Sequence, residues 1–371
     1  MKFVLTCNSG LESLAKQEVV NLGYDVEKVD DRLLFIKGNL QSIADINLRS
    51  RVGNKLFMIV KTGFVNEFED LFQLITKVEW SQYINNGQGF VVQATSVKSQ
   101  LSSVPAIQSV SQKAIMTQLT GSKELKRIDD GAQGILEIHV IINNNKAYLL
   151  INTTGPALHK RGYRVHTVEA PMKENIAAGL IMLSAWDKKT PLHDFFCGSG
   201  TITIEAAMMA RNVAPGKLRQ FDFEKFYWYE KSYYEDALQK AISNEVESSV
   251  EIFGYDMDPL LKGVQQEHAK KAGVESNITF VTKDFIDIDD QDFDNIFFIS
   301  NPPYGIRLSP ANIKPLYDKI ADFFEFGKNI QGGIFTSFND FYKTIDSKQY
   351  KLRKLFNGGE KCHFYRFLGK R

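Results

Sequence analysis

An α/β chain is predicted, with a doubly wound parallel sheet in its C-terminal part and an α+β region before it. Three observations predict this. Apolar strands alternate with amphipathic helices from residue 191 onward, a Gly-x-Gly turn joins the first of these strands to its helix, and the residues before 155 mix both element types without a nucleophile or metal-ligand cluster. A length of 371 residues fits two or three domains, and 43% apolar with 24% charged residues is a composition able to bury a core.

The elements follow from local patterning. Alternation predicts a strand at Lys2 to Thr6, helical spacing a helix at about Leu11 to Leu22, and a second apolar run a strand at Leu33 to Lys37. Phe68, Leu71, Phe72 and Ile75 recur at helical spacing, Phe90 to Ala94 and Gly134 to Ile142 read as strands, and Ile107 to Leu119 as an amphipathic helix. The turn at Thr153-Thr154-Gly155-Pro156 marks a boundary, followed by the basic stretch Leu158 to Arg164. Beyond it, strands are expected at Pro191 to Phe196, Glu251 to Asp256, Ile278 to Val281, Ile296 to Ser300 and Gly332 to Phe335. Helices at Thr201 to Arg211, Pro259 to Ala272 and Ile313 to Phe326 run between them, and strands Lys351 to Phe356 and Cys362 to Leu368 close the chain.

Composition excludes several classes of protein. Cys7, Cys197 and Cys362 form no CxxC pair, so neither a disulfide framework nor a zinc site is expected. The N-terminus turns polar too early for a secretory signal, and no apolar run reaches bilayer length, so a cytoplasmic protein with no membrane partner is expected. A net charge of +1 excludes a globally basic nucleic-acid binder. Residues 341–371 hold nine basic and two acidic side chains, a local face able to steer an anion or simply to be solvated.

The chemistry concentrates at strand ends. His193-Asp194-Phe195-Phe196-Cys197-Gly198-Ser199-Gly200-Thr201 is a strand running through Gly-x-Gly into a helix, where backbone can approach a ligand. Thr203 stands where a dinucleotide fingerprint has its third glycine, and no Gly-Lys-Ser/Thr follows, which disfavours a pyrophosphate and excludes a P-loop. A nucleoside without phosphates remains, and S-adenosylmethionine is the commonest such ligand of this fold. Asp256, ending the next strand, can accept both ribose hydroxyls, with Arg211 to Val250 as an insertion between it and the glycine turn. Asp284 can accept from the adenine amine, with Phe285 beside the ring.

Asn301-Pro302-Pro303-Tyr304 ends the fourth strand. Two prolines cannot continue a strand and fix a stiff turn at the carboxyl edge. An exocyclic amine on a nucleobase is a poor nucleophile because its lone pair is delocalised into the ring. The Asn301 side-chain oxygen and the Pro302 carbonyl can each accept one of its N–H bonds, turning the nitrogen toward an electrophilic methyl, and Tyr304 can stack on the base. The base must first leave its stack.

With these residues in hand, the chain resembles the class I methyltransferases of the Asn-Pro-Pro-Tyr type, specifically the bacterial THUMP-domain RNA methylases. The closest likeness is to the 23S rRNA guanine-N2 methyltransferases. Leu48 to Val52, the helix around Phe68 to Leu74 and Trp80 resemble the ferredoxin-like and THUMP modules. Leu158 to Arg164 with Ala170 to Ala178, Asp194 to Ala207, Ala214 to Gly216, Asn301 to Arg307 and Lys354 to Gly358 resemble the linker and catalytic domain.

The resemblance implies a ferredoxin-like module over residues 1–45, a THUMP RNA-binding domain over 46–155 and a Rossmann-like methyltransferase domain over 156–371. It implies S-adenosylmethionine held by Asp194, Phe196, Gly198, Ser199, Gly200, Thr201, Asp256, Met257, Asp284, Phe285, Asn301 and Glu174, and the target base by Asn301, Pro302, Pro303 and Tyr304, without a metal. Methyl transfer to the N2 amine of a guanine in rRNA is the leading expectation. A tRNA guanine, a DNA adenine amine and a non-catalytic RNA-binding assembly role are the alternatives. Phe195 departs from the proline usual in the family, a change expected to be tolerated.

Two stretches stay open. Phe221 to Tyr229 with Tyr233 and Tyr234 is expected to pack the insertion against the sheet, with stacking on RNA bases as the other use. Lys160, Arg161 and Arg164 either bind phosphates or solvate a linker.

Overall fold

A computed structural model describes residues 1–86, 88–120, 134–166, 172–304, 310–345 and 350–368. Ala170, Pro171, Gly305, Ile306 and Arg307, named above for the resemblance, lie outside the described residues.

The N-terminal half contains β1 (Lys2–Cys7), α1 (Glu12–Asn21), β2 (Asp25–Asp30), β3 (Leu33–Lys37), α2 (Leu40–Arg49), β4 (Gly53–Phe64), α3 (Phe68–Thr76), β5 (Gly89–Val97), α4 (Val104–Thr120), β6 (Ile135–Asn143) and β7 (Lys146–Asn152). Its strands form one sheet in the order β2-β3-β1-β4-β7-β6-β5. Successive strand residues point to opposite faces, so Phe3 and Leu5 join the helix-covered core while Val4, between them, joins Phe57 and Leu150 in a separate cluster. The division expected after residue 45 falls inside α2, and β4 pairs with β1 on one side and β7 on the other. The sheet therefore runs unbroken from the first module into the second. Asn39 caps α2 by accepting from Ser42 N at 3.1 Å, while Asn39 N donates to Ser42 Oγ at 3.2 Å.

The C-terminal half contains α5 (Glu174–Ser184), β8 (Leu192–Asp194), α6 (Thr201–Ala210), α7 (Lys231–Ser243), β9 (Ile252–Asp256), α8 (Leu261–Ala272), β10 (Ile278–Thr282), β11 (Phe297–Ser300), α9 (Pro310–Phe326), β12 (Gln331–Thr336), β13 (Tyr350–Asn357) and β14 (Glu360–Phe367). The sheet order is β10-β9-β8-β11-β12-β14-β13, parallel from β10 to β12, with β14 antiparallel between β12 and β13. The order reverses between β8 and β11, which is where a doubly wound sheet opens a crevice at its carboxyl edge. All four residues of β11 are buried, as a central parallel strand covered on both faces requires. Among the described residues no helix is long and apolar enough to cross a membrane.

The aromatic insertion has a different role from the one expected. Phe221, Phe223, Phe226 and Tyr229 are buried, and Phe223 N donates to Thr153 O at 3.0 Å while Tyr227 Oη donates to Ser81 O, so the insertion docks onto the N-terminal half. Gly216 N donates to Leu48 O at 2.9 Å, Gln41 donates to Tyr233 O at 3.1 Å, and Trp228 meets Tyr83 edge-on at 5.9 Å. Arg353 of β13 adds a second clamp by donating to Gly10 O at 3.1 Å. The two halves are thus tied at α2 and at the start of α1.

Candidate active site

The glycine turn is held by backbone geometry and by α8. Gly198 and Gly200 have φ of 55° and 86°, in the left-handed region that other residues adopt with strain. A Cβ on Gly198 would meet nothing within 4 Å, so open space lies in front of the loop. Behind it the fit is close: a Cβ on Gly254 of β9 would fall 2.6 Å from the Cys197 sulfur. Gln265 donates to Gly198 O at 2.7 Å, and His268 Nδ1 lies 3.1 Å from Ser199 O. His166 N donates to His268 Nε2 at 3.2 Å, so the ring proton resides on Nδ1 and points at the loop. Burial lowers the His268 pKa and keeps the ring neutral in this role. Neither Gln265 nor His268 was singled out from sequence, although their i, i+3 spacing on α8 places them on one face.

The strand-end acids differ in what they face. Asp256, half-buried, accepts from Gly198 N at 2.8 Å on one oxygen and from Asp258 N at 3.0 Å on the other, leaving a lone pair on each. Met257 next to it is exposed. Asp284 is half-buried and accepts from Ile286 N at 3.1 Å, capping a short turn. Phe285 does not face the cleft. It is buried among Phe195, Phe196, Phe298 and Phe323, and its neighbour Ile286 is the half-exposed apolar group there. The strand-end pattern located the turn but not the side chain that points outward, because a buried aromatic and a ring-facing one look alike in sequence. Phe195 packs in the same cluster, 4.7 Å edge-on to Phe298, so an aromatic at that position serves the core.

Asp194 is likewise turned inward. It is 1% exposed, and its Oδ1 accepts from Ser300 Oγ at 2.6 Å and from Phe196 N at 3.2 Å, while Ser300 Oγ accepts from Phe195 N at 2.9 Å. These bonds tie the end of β8 to the end of β11, directly before Asn301. Burial pushes the Asp194 carboxyl up to about 7, against the two hydrogen bonds. A carboxyl raised above its unfolded value of roughly 4 keeps its proton in the native state while the unfolded chain has lost it, so its contribution to stability falls between about pH 4 and 7 and stays low above. Asp194→Asn keeps the Oδ1 acceptor and does not titrate. Comparing urea midpoints at pH 5 and pH 8 is therefore expected to show a smaller fall with pH in the variant than in the wild type.

The Asn-Pro-Pro-Tyr turn is braced from beneath. Tyr317 Oη lies 3.4 Å from Pro303 O and 2.5 Å from Thr336 Oγ1, and Phe338 N donates to Thr336 Oγ1 at 2.9 Å. Tyr304 is half-buried, accepts from Asn357 at 3.4 Å, and is pushed up to about 12 by burial, so it is a neutral phenol across the working pH range. Asn301 Oδ1 is shielded from water and has no hydrogen-bond partner among the described residues. A buried amide oxygen without a donor is costly, and this one stands at the head of β11 beside the switch point.

The remaining candidates form a second layer. Glu174 is 4% exposed, with Arg164 Nε at 2.5 Å from its Oε1; Arg164 Nη2 donates to Thr201 Oγ1 at 2.8 Å and to Met172 O at 2.6 Å. Burial raises the Glu174 carboxyl, and Arg164 opposes that rise. Thr201 Oγ1 lies 3.4 Å from Ser199 Oγ. Arg161 is 1% exposed and paired with Glu205 of α6 at 3.3 Å, and it also donates to Leu158 O at 2.9 Å and to Arg51 O. Neither arginine is a free phosphate binder or a solvated linker residue. Both are engaged inside the molecule, Arg161 by Glu205 44 residues away and Arg164 by Thr201 37 residues away, and of Arg164 only Nη1 has no partner among the described residues.

The residues fit S-adenosylmethionine: a glycine turn with open space before it, a carboxylate with lone pairs to spare at the second strand end, and polar atoms on Asn301 and Arg164 without partners among the described residues. Comparison with known proteins agrees. The RMKL-like methyltransferase domain model matches residues 161–366, the RlmL ferredoxin-like domain model residues 2–57 and the THUMP domain model residues 65–152. The chain is 33% identical to YpsC of Bacillus subtilis, named a candidate RNA methyltransferase, over 99% of this chain and 96% of that protein. It is 31% identical to the ribosomal RNA large subunit methyltransferase K/L of Vibrio parahaemolyticus over 98% of this chain, and spans 52% of that longer protein. Among solved structures, SMU.472, a candidate methyltransferase complexed with SAH, superposes with a TM-score of 0.91 at 34% identity, covering 100% of this chain and 98% of that one. The protein therefore belongs to the RMKL-like family of S-adenosylmethionine-dependent RNA methyltransferases, with ferredoxin-like and THUMP domains ahead of a class I catalytic fold.

Proposed function

We propose that the protein methylates the exocyclic N2 amine of a guanine in RNA, with 23S rRNA as substrate, and that residues up to 155 capture the RNA while 156–371 carry the chemistry. The observation that carries this reading is the buried Asn301 Oδ1, without a partner among the described residues, at the carboxyl edge of β11. It has the right chemistry to accept one N–H of an amine, with the Pro302 carbonyl taking the other. The nitrogen lone pair is then freed from the ring and directed outward. Tyr304, neutral and braced by Asn357, offers a ring face for the extruded base. When bound, the cofactor supplies an electrophilic methyl on a sulfonium. Asp256 would accept from the ribose hydroxyls and Asp284 from the adenine amine, and the exposed Ile286, rather than the buried Phe285, would cover the ring. No strong base is needed, because the amine becomes acidic once methylated and sheds its proton to water.

RNA is favoured over DNA by the THUMP segment at 65–152 and by the relatives named for ribosomal RNA. The test is nucleoside mass spectrometry on rRNA, tRNA and DNA from cells lacking the gene, each incubated with the protein and isotopically labelled S-adenosylmethionine. Labelled N2-methylguanosine in 23S rRNA is expected. Label in tRNA alone would move the substrate, and label on adenine N6 of DNA would overturn the reading.

A further inference from the structure

One cation in the second layer has unspent hydrogen-bonding capacity. Arg164 Nε and Nη2 are occupied by Glu174, Thr201 and Met172, but Nη1 is shielded from water and has no partner among the described residues. Guanidinium carries five N–H donors, and a buried donor left unmet keeps its full desolvation cost. The position of this group is informative. Thr201 is the first residue of α6, immediately after the Gly198 to Gly200 turn, and Glu174 is the first residue of α5. The guanidinium thus joins the linker, the start of α5 and the start of α6 at the mouth of the glycine turn.

S-adenosylmethionine has two recognition ends. The adenosine end suits the strand-end acids Asp256 and Asp284. The other end is an amino acid, a zwitterion with a carboxylate and an ammonium on one carbon, and it needs a cation and an anion side by side. Strand-end carboxylates repel that carboxylate, and Arg161 is already spent on Glu205 and backbone carbonyls. Arg164 and Glu174, 2.5 Å apart, provide both charges together.

We propose that Arg164 receives the α-carboxylate of S-adenosylmethionine on Nη1, with Thr201 beside it, while Glu174 faces the α-ammonium; this rests on the cofactor site proposed above. Arg164 is then a binding residue that reads the amino-acid end of the cofactor, separate from the groups that hold the adenosine.

The test uses the full chain and isothermal titration with three ligands: S-adenosylhomocysteine, its decarboxylated analogue, and 5′-methylthioadenosine, which lacks the amino-acid end. In the wild type, removing the carboxylate is expected to weaken binding about 10–100-fold, the loss that goes with one charge-assisted hydrogen-bonded contact. Arg164→Gln is expected to weaken S-adenosylhomocysteine by the same factor, to bind the decarboxylated analogue as the wild type does, and to leave 5′-methylthioadenosine unchanged. Equal weakening of all three ligands in the variant would make Arg164 a merely structural brace and overturn the inference. So would a wild type that binds S-adenosylhomocysteine and its decarboxylated analogue equally well, a measurement that needs no variant to fold. A wild type that binds S-adenosylhomocysteine and 5′-methylthioadenosine but not through the carboxylate leaves the cofactor site standing and ends this proposal alone. Binding of none of the three ends both.

Discussion

Asn301→Ala is expected to lower methyl transfer to RNA about 10²–10³-fold while S-adenosylhomocysteine binds as in the wild type. The magnitude is that of removing one preorganised polar group that acts mainly in the transition state. The amide oxygen is desolvated and has no partner among the described residues, so its burial cost is borne by the fold and no water need be stripped from it at the moment of reaction. The alanine variant removes that unmet group, so its stability is expected to equal or exceed that of the wild type. Label incorporation under single-turnover conditions, paired with titration of the cofactor product, separates the two effects. Turnover equal to the wild type would remove Asn301 from the chemistry, and a parallel loss of cofactor binding would make it a pocket residue instead.

Breaking the Arg161 and Glu205 pair is expected to have the largest effect on stability. Both side chains are at most 1% exposed, and Tyr163 Oη donates to Glu205 Oε1 at 3.4 Å. Arg161→Met would leave a buried carboxylate without its counter-charge, a loss of about 3–5 kcal/mol, whereas Arg161→Met with Glu205→Leu replaces the pair by apolar groups and is expected to recover most of it. Urea denaturation of the wild type, the single variant and the double variant measures this directly. The defect of the single variant is also expected to shrink from pH 8 to pH 5, because an unpaired buried carboxyl has a raised pKa and takes up a proton as the pH falls. A single variant as stable as the wild type would mean that Glu205 finds another partner.

How much of this was legible in the sequence depends on the range of the physics involved. The glycine turn, the strand-end acids and the paired prolines could be read because backbone sterics fix them locally: Gly198 and Gly200 do adopt positive φ, and Asn301 does follow the fourth strand of the parallel run. Side-chain direction at the same strand ends could not be read. Asp194 turns inward because Ser300, 106 residues away, receives it, and Phe285 because an aromatic cluster drawn from the turn after β8, from β11 and from α9 does. The N-terminal half was the hardest to divide. Strand β4, twelve residues long, pairs with β1 and with β7, which begins 82 residues beyond its end, at Lys146 against Phe64, and no local pattern announces that one sheet spans both modules. The linker arginines looked like surface charge because their acidic partners lie on helices read for other reasons.

That linker has a thermodynamic consequence. Arg161 grips the backbone of the N-terminal half through Arg51 O, and three residues later Arg164 grips the start of α6. A ligand that displaced this short stretch on docking to the N-terminal half would alter affinity at the glycine turn, and by reciprocity a loaded glycine turn would alter the affinity of that ligand by the same factor.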